Sequence, residues 1–381
     1  MASVSPVTVA TAGLLAAAGC YYAYVSLCRK GQPSSRHVHD AAHDDARETP
    51  LPLARRHAPR TPDGTAQITQ LWIYPIKSCR GVRVSEATVT ENGLLLDREW
   101  AIVRLSDGKI LTQREHPELA LVVVEIDQAR SCLRVCVAAE EAERRNLLAS
   151  LTVTLAASTA SAEEVPIKIW HIDGSVTSVG ADATAWFSSF LKVPCFLGRI
   201  ARKRVPAVSP NHKSVTQADE VINIQDFSSL HIITEEGIDA IQESVTRACK
   251  EEGRTPPSLD VRRYRPNVVL SGVPFPDEDT WSRFSIRGTN DSFQLRVAKL
   301  CGRCSVPTVD PDSGIRPLRE PQPLAALKQS REMFYAHQIP MTDLPGRQQW
   351  PMFGLNVFHG GTGIIRVGDR VSDIHRHSTS D

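Results

Sequence analysis

The sequence predicts a β-rich α+β fold in which a smaller mixed β unit precedes a barrel-like β unit closed by helices, behind an N-terminal membrane anchor. Short runs of alternating apolar and polar residues, bounded by turn residues, recur from Gln67 onward. Helical patterning is confined to a few stretches. The first 28 residues contain no Asp, Glu, Lys or Arg.

Within that uncharged segment, Val7 to Cys28 is an Ala-, Leu-, Val- and Tyr-rich run of 22 residues. As a helix it measures about 33 Å, enough to cross a bilayer. Met1 to Thr8 lacks the basic residues that open a cleaved signal peptide, whereas Arg29, Lys30 and Arg36 follow the apolar run. The positive-inside rule then leaves everything after residue 28 facing the cytosol. Residues 29–66 carry five prolines, four histidines and no Phe, Trp or Tyr, too little apolar surface to offset chain entropy, and read as a disordered tether.

From Gln67 the strand runs are Leu71 to Ile76, Val82 to Val89, Trp100 to Leu105, Leu121 to Ile126, Leu133 to Val137 and Val165 to Trp170. Asp182 is positioned to cap a short helix reaching Lys192. Further strands fall at Val221 to Ile224, Asn267 to Leu270, Phe293 to Leu300 and Gly363 to Val371. Thr234 can cap a helix running to about Lys250, and a last helix covers Leu324 to Ala336. These elements divide into units at 67–193 and 194–381. The cluster Gly360-Gly361-Thr362-Gly363 leads into a strand rather than a helix, so it reads as a hairpin turn and not as a nucleotide-binding loop.

A net charge of +1, from 44 basic against 43 acidic residues, gives no reason to expect nucleic-acid binding. Nine cysteines, an odd number scattered from Cys20 to Cys304, do not form a secreted disulfide framework and read as reduced thiols. Cys132 and Cys136 share one face of a strand about 13 Å apart, a packing arrangement too wide for one metal.

The segment from Cys301 through Cys304 to Gly314, CGRCSVPTVDPDSG, carries the most chemistry. A zinc site lacks its second ligand pair. A thioredoxin-like pair requires a following helix, which Pro307 and Pro311 break. A calcium loop fails at its twelfth position, Pro321. What remains is one thiolate on a soft redox metal, with Arg303 lowering the thiol pKa and the Asp-Pro-Asp-Ser-Gly turn fixing the loop.

This segment resembles the cysteine signature of MOSC-domain molybdenum enzymes, and Gln67 to Ile374 resembles the mitochondrial amidoxime-reducing component family, a MOSC N-terminal β-barrel domain followed by a MOSC domain. The resemblance also rests on YPIKSCRG (74–81), GLLLDREW (93–100), Thr112-Gln113-Arg114 and Arg265-Pro266-Asn267. It implies the molybdenum cofactor, Mo-molybdopterin, with Cys304 as metal ligand and catalytic residue, and Lys77, Ser78, Arg98, Arg265 and Asn267 as cofactor-binding residues. Asp226 matches a position near the cofactor and is the second implied catalytic residue, although Phe227, Ser228 and Ser229 depart from the Gly- or Pro-containing pattern usual there, and Pro307 replaces a common Thr or Ser. Cys301 is then the structural thiol. Chemically, a phosphate dianion suits Lys, Ser and Arg donors, and Asn can read a pterin edge. Without the resemblance, Lys77 is equally a solvated strand-end lysine, and Arg98 beside Asp97 a surface ion pair.

The implied activity is reduction of N-hydroxylated compounds (amidoximes, hydroxylamines and N-oxides) to amidines or amines. The implied electron donors are a small b-type haem cytochrome and its NADH-dependent flavoprotein reductase, and the implied membrane is the mitochondrial outer membrane. The rival reading is a cofactor carrier or maturation module that turns over no substrate. MOSC domains also occur on cofactor sulfurases, but the 66 residues before Gln67 leave no room for the pyridoxal-phosphate domain that activity needs.

Overall fold

A computed structural model describes residues 65–156, 163–169, 172–201, 205–206, 216–217, 220–288, 292–317, 323–327 and 351–377. The expected anchor and tether lie outside these residues, as does most of the expected helix at Leu324 to Ala336, of which residues 323–327 are helical. Among the described residues no helix is long and apolar enough to cross a membrane.

The first half contributes β1 (Gln67–Ile73), β2 (Val82–Val84), β3 (Glu86–Thr90), β4 (Gly93–Leu94), β5 (Trp100–Arg104), β6 (Val123–Asp127), β7 (Cys132–Cys136), β8 (Ser150–Thr154), β9 (Glu164–Ile169) and β10 (Ile172–Ser178). The second contributes β11 (Cys195–Ile200), β12 (Val205–Pro206), β13 (Val221–Ile222), β14 (Leu230–Thr234), β15 (Val268–Ser271), β16 (Trp281–Arg287), β17 (Ser292–Gly302), β18 (Met352–Gly360), β19 (Gly363–Arg366) and β20 (Arg370–Arg376). Helices α1 (Ala139–Arg145), α2 (Ala181–Leu191) and α3 (Glu235–Glu251) pack with them, besides the short helical stretch at 323–327.

Seven strands close into a barrel in the order β15, β14, β18, β17, β16, β20, β1, with β1 returning to β15. Every pairing is antiparallel except β14 with β15, whose parallel register requires a crossover, supplied by α3. Inward positions alternate along the strands and fill the interior with Ile68, Leu71, Leu270, Phe284, Leu295 and Val357. Thr234 caps α3 as expected, its hydroxyl accepting from Gly237 N at 3.1 Å.

A four-stranded sheet, β5-β11-β10-β9, and a meander, β6-β7-β8, enclose a second core around Trp100, Leu133, Trp186, Phe187 and Phe190. Strands cross the expected 193/194 division in both directions: β1 completes the barrel, while β11 pairs with β5.

Three local expectations change. The α2 cap is Gly180, with Asp182 inside the first turn. The run Val82 to Val89 breaks at Ser85, so that β2 pairs with β1 and β3 with β19. The Gly360 to Gly363 cluster is a corner rather than a hairpin, because β18 belongs to the barrel and β19 pairs with β3.

Candidate functional site

The turn after β1 presents Lys77 and Ser78, the turn before β5 presents Arg98, and the segment entering β15 presents Arg265 and Asn267. Asp226 lies between β13 and β14, and Cys304 lies just beyond β17. All seven line one cleft, with Thr112, Gln113, Arg114, His231, Tyr264 and Arg303 among its other walls. Three of the turn residues have left-handed backbones, Ser78 (φ 73°), Arg98 (φ 51°) and Arg265 (φ 54°), a conformation costing a non-glycine residue about 1 kcal/mol or more. Hydrogen bonds hold the first two turns there: Lys77 N donates to Trp100 O and Arg98 N to Tyr74 O, each at 2.8 Å.

Tyr74 organises the cationic end. The guanidinium carbons of Arg98 and Arg265 each stand 4.3 Å from its ring centroid. Arg98 Nη1 donates to both oxygens of Asp97 at 2.7 Å, and Asp97 has no exposed surface, so this is a buried pair and not the surface pair that sequence also allowed. Arg265 Nη1 donates to Cys79 O at 2.6 Å, and burial pulls its pKa down to about 10. Lys77 is likewise buried rather than solvated. Its Nζ donates to Ile224 O at 2.8 Å and to Asp226 Oδ1 at 2.6 Å; burial lowers its pKa while the Asp226 carboxylate opposes the shift.

At the cysteine loop, Arg303 is buried. Its Nη1 donates to Cys301 Sγ at 3.2 Å and bonds His231 Nε2 at 3.1 Å, while Nη2 donates to Tyr264 O at 2.8 Å. The arginine expected to assist the metal-binding thiol therefore bonds Cys301 instead. Burial, then the charges of Arg303 and Arg98, hold His231 well below its ordinary pKa, so the imidazole is neutral and can accept from Arg303. Beyond Cys304 the chain makes a 3-10 turn at Val306–Thr308, and arginines fasten the acidic turn that follows. Arg263 donates to Val309 O at 2.9 Å and to Asp310 at 2.6 Å, and Arg262 grips Asp312 with two bonds of 2.8 and 2.9 Å. With both carboxylates so engaged, the turn is a brace and not a calcium loop.

Asn267 lines the cleft and also holds the strands. Its Oδ1 accepts from His231 N at 3.1 Å and its Nδ2 donates to Trp72 O at 3.2 Å, which ties β1, β14 and β15 together beneath the cleft. Sequence reading missed His231, Tyr264 and the pocket-facing parts of Gln113 and Arg114. The last two stand in the Thr-Gln-Arg motif already noticed, whereas a lone histidine in a strand gives no signal.

The sequence matches the MOSC N-terminal beta barrel domain over residues 65–194 and the MOSC domain over residues 219–372. Mitochondrial amidoxime-reducing component 1 of Mus musculus is 30% identical over 309 residues, covering 80% of this chain and 81% of that protein. The chain belongs to the mitochondrial amidoxime-reducing component family of MOSC-domain proteins. A second family member, mitochondrial amidoxime reducing component 2 of Homo sapiens, is 29% identical over 321 residues, 80% of this chain and 82% of that protein. The shared fold reaches further: the molybdenum cofactor sulfurase of Solanum lycopersicum is 29% identical over 265 residues, 68% of this chain but 31% of that longer protein.

Proposed function

We propose that this family member is a molybdenum-cofactor-dependent reductase that removes oxygen from amidoximes, hydroxylamines and N-oxides. One observation carries the reading: five cationic side chains, Lys77, Arg98, Arg114, Arg265 and Arg303, line one cleft in which Asp226 is the only lining carboxylate, and Cys304 lines the same cleft. Such a cleft suits a ligand that is anionic at one end and offers a soft metal at the other. The donor set fits the cofactor: ammonium, hydroxyl and guanidinium groups for the phosphate, and a half-buried thiol for molybdenum.

In this reading Lys77, Ser78, Arg98 and Arg265 hold the phosphate end, and the rigid Arg98–Tyr74–Arg265 stack keeps its donors in place before the anion arrives. Cys304 supplies the only protein ligand to the metal, and Asp226 keeps Lys77 protonated at the cleft mouth. When bound, the cofactor supplies two-electron chemistry at molybdenum. Asn267 reads the pterin edge from the cleft wall while fixing the strands.

Electrons come from a small b-type haem cytochrome and its NADH-dependent flavoprotein reductase. The segment Val7 to Cys28 anchors the chain in the mitochondrial outer membrane with the catalytic units, 67–193 and 194–381, in the cytosol. The mitochondrial names of the relatives support the mitochondrial part of this location.

The test is metal and pterin analysis of the purified chain, followed by turnover of a simple amidoxime such as benzamidoxime. The expected result is near-stoichiometric molybdenum and pterin, activity with a chemically reduced dye, none with NADH alone, and activity with NADH once both donor proteins are added. Bound cofactor with no turnover of any N-oxygenated substrate would instead favour the carrier.

A further inference from the structure

The Thr112-Gln113-Arg114 segment forms one wall of the cleft, yet the reading above gives Gln113 no task. Its backbone is fixed from both sides. Leu111 N donates to Ile102 O at 2.8 Å, Thr112 O accepts from Glu115 N at 2.9 Å and His116 N at 2.8 Å, and Arg114 O accepts from Arg316 Nη2 at 3.0 Å. The side chain is therefore aimed by a rigid turn. Gln113 is 6% exposed, and its Oε1 is buried without a hydrogen-bond partner among the described residues. A buried carboxamide oxygen left without a partner costs about 1 to 3 kcal/mol, and native proteins seldom keep one without use.

We propose that Gln113 is a cofactor-reading residue whose Oε1 accepts a hydrogen bond from a ring N–H of the pterin. This rests on the function proposed above. The chemistry narrows the choice. An acceptor needs a donor hydrogen, and neither the phosphate dianion nor the metal thiolate end offers one, whereas the pterin carries several ring and amino N–H groups. The other cleft walls are rich in cationic donors, which suit phosphate and carbonyl oxygens. Gln113 adds the complementary acceptor that lets the cleft distinguish a pterin from a simple organic phosphate. Its depth also favours the group that stays bound over a substrate that enters and leaves at the mouth.

The test compares the parent chain with Gln113→Leu, which keeps bulk and removes the acceptor, and Gln113→Glu, which keeps an acceptor. Each is purified with cofactor, and three readouts are taken: pterin and molybdenum per chain, the rate of pterin loss on dilution, and KM for benzamidoxime per bound molybdenum. Gln113→Leu should lose pterin about five- to tenfold faster, with KM per loaded site unchanged, and Gln113→Glu should retain it more nearly like the parent. Equal pterin retention by Gln113→Leu and the parent overturns the proposal, whether or not KM or thermal stability moves; a raised KM at full pterin content assigns the residue to substrate instead. A parent chain that holds no pterin overturns the function proposed above, and this assignment with it.

Discussion

Replacing Asp97 with Asn probes the cationic end of the cleft without touching a ligand-facing group. The carboxylate is fully buried, takes Arg98 Nη1 on both oxygens at 2.7 Å and accepts Tyr74 N at 2.8 Å. An amide of the same shape removes the negative charge and turns one oxygen into a donor facing the guanidinium. Arg98 and Arg265 then share the Tyr74 ring with no counter-charge beside them. At an effective dielectric near 20 and a charge separation near 4 Å the lost attraction is about 4 kcal/mol, and breaking a buried pair costs about 3 kcal/mol or more in practice. With a urea slope of about 2 to 3 kcal/mol per molar, the unfolding midpoint should fall by about 1 to 1.5 M. Inorganic phosphate should restore more stability to the variant than it adds to the parent, because a dianion at the cleft returns the missing counter-charge. The same midpoint for variant and parent, with and without phosphate, would refute this account of how Arg98 is held.

Cys304→Ser should abolish molybdenum retention and reductase activity, whereas Cys301→Ser should retain metal and lose stability through Arg303; metal analysis and thermal melts separate the two. Burial lowers the folded pKa of Lys77 beneath its ordinary 10.5, so between those values the unfolded chain binds more protons, and the stability of the cofactor-free chain should rise with pH across that window. Phosphate affinity should fall across the same window as Lys77 loses its charge, and Asp226→Asn should move that fall to lower pH. Urea midpoints and calorimetric phosphate titrations check both, and a parallel rise would contradict the assignment. Gly354→Ala should destabilise by about 3 kcal/mol, since φ is +83° and the added carbon would meet His231 Nε2 at 2.6 Å and Ile232 O at 2.7 Å; an unchanged melting temperature would show that β18 can shift.

Strand legibility did not follow solvent exposure alone: β8, which alternates exposed and buried positions, was missed, while the fully buried β15 was found. β7, where exposed Arg134 stands between buried Leu133 and Val135, is found within a residue of its bounds, as are β9 and the almost wholly buried β5. β11, β14 and β18 were missed, and the six consecutive buried residues of β18 show no period to detect; β15 is equally covered but was marked by its run of Val and Leu after Asn267. The barrel's closure was equally invisible, since β1 finds β15 only through long-range register. In the cleft, family motifs marked Lys77, Ser78, Arg98 and Cys304. The left-handed backbones that aim Ser78, Arg98 and Arg265, and the neutral His231 behind Arg303, arise from tertiary hydrogen bonds that no local pattern encodes.

Because the barrel is closed by its first strand, its assembly has a timetable set by protein synthesis. Thr69 hydrogen-bonds to Val269, 200 residues later, and Gln67 pairs with Arg370. At a ribosomal pace of about 5 to 20 residues per second, the chain around Leu71, Trp72 and Ile73 waits roughly 10 to 40 s after emerging before its partner on β15 exists. During that interval β2 can pair with Leu71 to Ile73, but the edge that β15 will cover stays open, a circumstance in which nascent chains stick to one another. Such a polypeptide gains from a holding chaperone at the tunnel exit, and a circular permutant that moves β1 behind β20 should reach its native state with less of that help.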